Sequence, residues 1–377
     1  MRAFVGQSLR RLEDWRFLTG RGRYTDDINL PGQAFMRVVR SPHAHARVRD
    51  IDTAAARASP GVLGMFTAAD LRSLGPIPCN VQVATVEPMR VPVRPALASE
   101  RVRYVGEPVA FVVAATREAA RNAAEAVEIV YEPLDAVAEA RDALAPDAVQ
   151  LWDDVPGNLA YRFEKGDRAA VQEAFARAAD VIALTLVNNR VIVAPLEHRA
   201  AIGAFDAGRF TLTLSGQGVH GIRNPLADTV FRVAREQVRV VCPDVGGGFG
   251  VKNGLYAEYV MALWAARQLA RPVKWVSDHG EDFVSTAHGR DNLTEARLAL
   301  DAEGGFLALE VETVANLGAA MATGGPGSST NAPANAMGGG YAIPAIFMGV
   351  RGAFTNTVPL DAYRGAGKPE VNYMMSG

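Results

Sequence analysis

The sequence predicts a mixed α/β fold, and three observations predict it. Residues 102–131 read strand, helix, strand, and residues 238–269 read strand, glycine loop, helix. Both patterns pack helices against sheets. The third observation is length, since 377 residues exceed what one hydrophobic core usually organises. Loop-forming, acidic stretches cluster at Ala145-Pro-Asp147 and Asp153-Asp-Val-Pro-Gly157. They mark a boundary that divides the chain into 1–145 and 146–377.

In chain order, residues 1–30 are basic and irregular. Ala34–Arg40 and Val62–Thr67 are runs of strand length and composition. Between them, Ser41-Pro-His-Ala-His-Ala-Arg47 carries two histidines at i, i+2. Pro42 argues for a turn, and no carboxylate or cysteine partner lies near, so a metal site is not expected. Val102–Val105 and Pro108–Ala115 are strands on either side of the turn Gly106-Glu-Pro108. Thr116 caps a helix over Arg117–Ala126, with Ala119, Ala123 and Ala126 facing inward. Val127–Tyr131 returns as a strand.

Beyond the boundary, Ala169–Ala179 is an amphipathic helix, and Val181–Val193 is strand-like but interrupted at Asn188-Asn189. Phe210–Leu214, Val238–Val241, Val273–Val276 and Leu307–Ala315 are strands. The helix after Val238–Val241 places Leu255, Tyr259, Ala262, Leu263, Ala266 and Leu269 on one face. Asp278-His-Gly-Glu-Asp282 matches no defined ligand spacing and is expected to be a solvated loop. Gly318–Gly340 is small and polar, a flexible or ligand-covering segment.

Composition excludes several classes. Net charge is −2, which offers no electrostatic case for nucleic acid or an acidic membrane. No apolar run reaches membrane-spanning length. Cys79 and Cys242 are too few for an iron–sulfur cluster and form no C-x-x-C pair. They fit a reducing compartment, so a cytoplasmic location is expected. The first residues, Met1-Arg-Ala-Phe-Val-Gly6, lack the apolar stretch of a signal peptide.

Three loops carry candidate chemistry. Gly246, Gly247, Gly248 and Gly250 follow a buried strand and precede a helix. They leave backbone N–H groups bare for something negative or oxygen-rich. Neither familiar phosphate loop fits. Val251 and Asn253 stand where the dinucleotide fingerprint needs glycine, and Lys252 lacks the P-loop context. Taken alone, the glycines equally suit close packing of strand on helix. Gln217, between Gly216 and Gly218, offers both a donor and an acceptor; alone it is an exposed turn residue. Arg364 precedes Gly365-Ala-Gly367 and is a forked cation on bare backbone, suited to an oxyanion; alone it is a surface arginine. His220 is expected to serve local packing or hydrogen bonding rather than to act as a base.

Together, Gly216-Gln-Gly218, Gly246-Gly-Gly-Phe-Gly-Val-Lys252 and Ala362-Tyr-Arg-Gly-Ala-Gly367 resemble the molybdopterin-binding large subunit of the molybdenum hydroxylases. That family includes xanthine dehydrogenases, aldehyde oxidases and the carbon monoxide dehydrogenase large chain. Ser41-Pro-His-Ala-His-Ala46 and Tyr104-Val-Gly-Glu-Pro-Val-Ala110 resemble its N-terminal hammerhead α/β domain. The five motifs run in family order along the chain. The resemblance implies a hammerhead domain in 1–145 and the first part of the molybdopterin-binding α+β domain in 146–377. It implies a molybdenum–pterin cofactor, as molybdopterin or its cytosine dinucleotide form, with iron–sulfur and FAD-carrying partner subunits. Gln217 matches the glutamine that hydrogen-bonds the molybdenum oxygen ligands. Gly248, Phe249 and Gly250 match the loop whose backbone amide meets an oxo ligand. Arg364 matches an arginine beside the metal. No side chain ligates the metal in such a site; the protein supplies orientation and electrostatics.

The implied reaction hydroxylates an electron-poor carbon of a small molecule with oxygen from water, a glutamate acting as general base. No glutamate here matches that base. The family also continues for about as many residues again, so the resemblance covers the first half of a catalytic subunit. That half is a truncated product or one chain of a split pair, inactive alone. Purine-oxidising relatives carry a glutamate at Asn253, an arginine near Ala332 and a phenylalanine at Ala366, so xanthine is disfavoured. Gly365-Ala-Gly367 lacks the cysteine of copper–molybdenum enzymes and looks like the form II relatives. An aldehyde substrate is favoured. A purine or other N-heterocycle, or a non-catalytic docking fragment, stands as the alternative.

Overall fold

A computed structural model describes residues 4–376. The first part of the chain forms β1 (Ala34–Arg40), β2 (Ala46–Asp52), β3 (Val62–Thr67), β4 (Arg101–Val102), β5 (Pro108–Ala114) and β6 (Glu128–Pro133). The rest forms β7 (Leu159–Gly166), β8 (Asp180–Asn188), β9 (Ala200–Asp206), β10 (Arg209–Leu214), β11 (Val238–Val241), β12 (Val273–Val276), β13 (Asn292–Leu300), β14 (Phe306–Asn316) and β15 (Ala345–Ala353). One sheet orders its strands β11-β10-β9-β12-β1-β5-β3, a second β7-β15-β14-β13-β8, and a third β4-β2-β6. Strands from before residue 145 and after it therefore share the first sheet, where β1 pairs parallel with β12. This is a mixed α/β architecture.

Every residue of β5 is buried because helices cover both faces of its sheet. Ala110 and Val112 face the helix Arg117–Glu125, while Phe111 and Val113 join the core around the helix Ala257–Leu269. Thr116 Oγ accepts from the Ala119 N–H at 3.0 Å, as a helix cap should. The inward face of Arg117–Glu125 is Ala120 and Ala123, with Ala119 and Ala126 only half-buried. Ala123 faces inward as expected, but its buried companion is Ala120 rather than Ala119 or Ala126.

Ala257–Leu269 departs further from expectation. It is buried all round from Ala257 to Ala266, so it has no solvent face. Gly203 in β9 permits its approach, since a Cβ there would sit 2.5 Å from the Ala262 carbonyl carbon. Five strands, β2, β7, β9, β13 and β15, had no counterpart in the sequence reading. In β9 the run Ala-Ala-Ile-Gly-Ala-Phe-Asp has weak local preference for strand. Its pairing with β10 on one side and β12 on the other overrides that. The run expected to continue to Val193 ends as a strand at Asn188, leaving a single bridge between Val191 and Gly289.

Gly318–Gly340 is not a loose cover. Leu317, Ala319 and Met321 belong to the second core, and short helices form at Gly325–Ser329 and Asn331–Ala334. The acidic run at Asp278–Asp282 is likewise no solvated loop. Asp278 caps the helix His279–Ser285, and Glu281 and Asp282 are buried. Among the described residues, no helix is long and apolar enough to cross a membrane.

Candidate cofactor site

Strand topology brings two of the three loops together. β10 and β11 lie side by side and parallel, with Thr213 opposite Val241. Their C-terminal ends therefore release Ser215–Gly218 and Cys242–Gly250 at one edge of the sheet, the usual place for a ligand in such sheets. The Gln217 N–H donates to the Lys252 carbonyl at 3.0 Å. The Gly250 N–H donates to Gln217 Oε1 at 2.7 Å. At Gly248 an added Cβ would lie 2.6 Å from Gln217 Cγ and Oε1, so any side chain there would displace the glutamine.

The third loop arrives from the end of the chain. The Arg364 N–H donates to the Phe249 carbonyl at 2.8 Å, and the Arg364 guanidinium carbon lies 6.0 Å from the centre of the Phe249 ring. Gly250, at φ +107°, abuts the Ala362 carbonyl, whose carbon would stand 2.9 Å from an added Cβ. Phe249 itself holds φ +52°, uncommon outside glycine. Gln217, the Phe249–Gly250 peptide and Arg364 thus share one surface.

That surface offers donors and few acceptors. Among the described residues, the Gly247, Gly248 and Phe249 N–H groups have no protein acceptor, and the Arg364 guanidinium has no hydrogen-bond partner. The Gly250 N–H is committed to Gln217, leaving that carboxamide's NH₂ to donate outward. Such a donor set fits the oxygen ligands of an anionic group, and the glycines let it approach the backbone.

Several residues that shape the site were not singled out by the sequence reading. Arg290 donates to the Tyr363 carbonyl at 3.2 Å and the Arg364 carbonyl at 3.0 Å, and pairs with Glu370 at 3.1 Å. It braces the Arg364 loop from below. Glu197 accepts from the Gly246 N–H and sits against Lys252 and Ser215. Deeper in, Arg199 and Arg40 converge on Glu258. Burial alone would push Glu258 up, but the two guanidiniums bring its pKa down to about 2. Nothing in a linear pattern flags these residues, because each is one ordinary charge until the fold pairs it.

The remaining candidates are placed as follows. Asn253 is exposed, and its side-chain oxygen borders Gly218. Ala366, at φ +37°, lines a small cavity with Ser329, Asp361 and Glu370. Ala332 lies in the short helix Asn331–Ala334, whose Pro333 packs against Gly367. His45 Nδ1 lies 2.6 Å from the Asp135 carbonyl, and His43 packs on Tyr131, so the two serve the hammerhead segment. His220 is exposed on the helix Val219–Pro225. A cavity of about 570 Å³ lies elsewhere, between Ile51, Leu71 and Glu100.

Residues 151–376 match the molybdopterin cofactor-binding domain family, and residues 19–135 match the a/b hammerhead domain of aldehyde oxidase and xanthine dehydrogenase. The chain belongs to the molybdenum hydroxylase large-subunit family. It is 38% identical over 376 residues to the 6-hydroxypseudooxynicotine dehydrogenase complex subunit gamma of Paenarthrobacter nicotinovorans, covering 98% of this chain and 46% of that one. It is 36% identical over 366 residues to the carbon monoxide dehydrogenase large chain of Afipia carboxidovorans, covering 93% and 44%. The crystal structure of quinoline 2-oxidoreductase from Pseudomonas putida 86 superposes with a TM-score of 0.89 at 33% identity, over 96% of this chain and 46% of that one. The chain thus spans about half the length of these relatives. The hammerhead and molybdopterin-binding regions follow one another as the resemblance implied, and the cofactor class is molybdopterin.

Proposed function

We propose that the surface shared by Gln217, Gly247–Gly250 and Arg364 cradles the molybdenum end of the cofactor in an enzyme that hydroxylates an electron-poor carbon. The observation that carries this is the convergence of three loops, distant in sequence, on one patch of unpaired donors. When bound, the molybdenum–pterin group supplies two-electron oxidation with oxygen taken from water.

The chain's own residues set the environment. The Gln217 carboxamide donates toward oxygen ligands, and its orientation is held by the Gly250 N–H. The Arg364 cation offsets negative charge that grows there during reaction. The exposed Phe249 ring would lend the site one apolar side.

Proton removal falls to a residue outside this set. Among the carboxylates bordering the loops, Glu197 faces an ammonium, Asp244 pairs with Arg16, and Glu370 pairs with Arg290. Asp361 accepts the Gly324 and Ala362 N–H groups. We therefore assign the general base to the portion that the relatives have and residues 1–377 do not cover. That portion is joined to this chain or carried by a second one. Electrons leave through iron–sulfur and FAD partner subunits. The chain divides at residue 145 into hammerhead and cofactor-binding parts.

The missing purine anchors at Asn253, Ala332 and Ala366 disfavour xanthine, and the form II-like loop Ala362–Gly367 favours an aldehyde. A second reading, an N-heteroaromatic ring, is favoured by the likeness to quinoline 2-oxidoreductase and to the 6-hydroxypseudooxynicotine dehydrogenase subunit. The test is purification of the native complex, metal analysis, and a dye-reduction screen with benzaldehyde and quinoline. Stoichiometric molybdenum is expected, falling by roughly tenfold in Gln217→Ala or Arg364→Ala. A complex without molybdenum refutes the reading and leaves the docking-fragment alternative.

A further inference from the structure

Beneath the cofactor surface lies a group of residues that ties two of its loops together. Lys252 is fully buried, and its ammonium donates to Ser215 Oγ and the Glu197 carbonyl, each at 2.6 Å. Glu197 Oε2 accepts from Ser215 Oγ at 2.6 Å and the Gly246 N–H at 2.7 Å, and lies 3.3 Å from the Lys252 ammonium. The backbone closes the same knot, since the Glu197 N–H donates to the Gly246 carbonyl at 3.1 Å. Gly246 presses on Glu197 so closely that a Cβ there would lie 2.5 Å from Glu197 Cβ.

Each arm of this group leads to a cofactor-facing donor. Ser215 is two residues from Gln217. Gly246 opens the stretch whose N–H groups point outward, and Lys252 closes it while its carbonyl accepts the Gln217 N–H at 3.0 Å. Buried charges lost from this arrangement would be left uncompensated, so the group has one stable geometry. Burial pushes the Lys252 amine toward neutrality, and Glu197 opposes it.

We propose that Glu197, Ser215 and Lys252 form a positioning clamp, fixing the Gln217 carboxamide at a set distance from the Gly247–Phe249 amides. None of the three reaches the cofactor surface itself; they act through Gln217 and the glycine loop. The proposal rests on the cofactor site described above.

Its test separates the two. Lys252→Met and Ser215→Ala are made in the native complex. Amide hydrogen exchange is followed across residues 214–219 and 244–253, together with molybdenum content, kcat, KM and unfolding temperature. Local exchange is expected to speed by about tenfold or more while amides of β5 and the helix Ala257–Leu269 keep their protection. The kcat should fall by roughly tenfold or more with KM little changed, as for a misplaced catalytic group. The double variant Glu197→Gln/Lys252→Met, which leaves no bare charge, should recover the global stability lost in Lys252→Met but not the local protection. Should Lys252→Met unfold the chain, Ser215→Ala decides, because it removes a hydroxyl and strands no charge. Unchanged local exchange in Ser215→Ala overturns the clamp. Faster local exchange in a complex whose wild type holds no molybdenum keeps the clamp and refutes the cofactor reading instead.

Discussion

Gly248→Ala separates the site from the fold. Gly248 lies outside the left-handed region, so alanine is allowed by its backbone. The added methyl would stand 2.6 Å from Gln217 Cγ and Oε1. Ordinary carbon contacts need about 3.5 Å, so the glutamine must retreat by about 1 Å. Retreat breaks the 2.7 Å bond from the Gly250 N–H, costing about 1 kcal/mol at this exposed position. Replacing a glycine returns about 0.4–1 kcal/mol through the unfolded chain. The two nearly cancel, and the unfolding temperature should move by no more than about 4 °C. A 1 Å misplacement near the reacting centre costs on the order of a hundredfold in rate. Differential scanning calorimetry and dye-coupled kinetics on the purified complex measure both. A kcat within twofold of wild type would refute the convergence on Gln217, and a large loss of stability would show that Gly248 serves the fold instead.

Other outcomes follow from the buried charges. Glu258→Gln strips the shared counter-ion from Arg199 and Arg40 and should cost about 3–5 kcal/mol in denaturant unfolding. Because the Glu258 pKa falls to about 2 in the fold, its contribution is present above the unfolded value of 4.5 and is lost as pH drops toward 2. It amounts to about 3 kcal/mol, and an acid titration of stability in wild type against Glu258→Gln reads it. Burial lowers His288 to about 4. Its Nε2 donates to the Phe283 carbonyl at 2.9 Å while Nδ1 faces Arg190, an arrangement only the neutral ring satisfies. The unfolded chain takes the proton first, so stability should decline by about 3 kcal/mol between pH 6.5 and 4. His288→Gln should flatten that decline.

Much of the fold was legible because its strongest signals are local. β11, β12 and β3 fall where their β-branched runs place them, and Thr116 caps the helix it precedes. β9 and β15 were not legible, since alanine and glycine dilute their patterns and only neighbouring strands make them sheet. The helix Ala257–Leu269 misled in another way. Its apolar positions were read as one face, but the smaller residues between them are buried too, as in a helix enclosed on all sides. For the site, unusual composition was the guide. Gln217, Gly248, Phe249, Gly250 and Arg364 stand out because polar or aromatic groups on bare backbone are rare. Glu197, Lys252, Arg290 and Glu258 do not stand out, being charges whose meaning lies in charged partners 55 to 218 residues away.

That contrast reflects how the site is built. Donors left open for a ligand cannot also stabilise the loops that hold them, and the glycines beside them add backbone freedom. Order has to be imposed from beneath, by groups that are buried, charged and mutually satisfied. Lys252 and Glu197 lie under the glycine loop, Arg290 and Glu370 under the Arg364 loop, and Arg199 with Glu258 deeper beneath the glycine loop. Arg199 also stacks on Tyr256, whose hydroxyl donates to the Val251 carbonyl at 2.7 Å. A substitution in the upper layer should therefore alter function at little cost in stability, and one in the lower layer should alter both. Gly248→Ala against Glu258→Gln sets the first behaviour against the second within one chain.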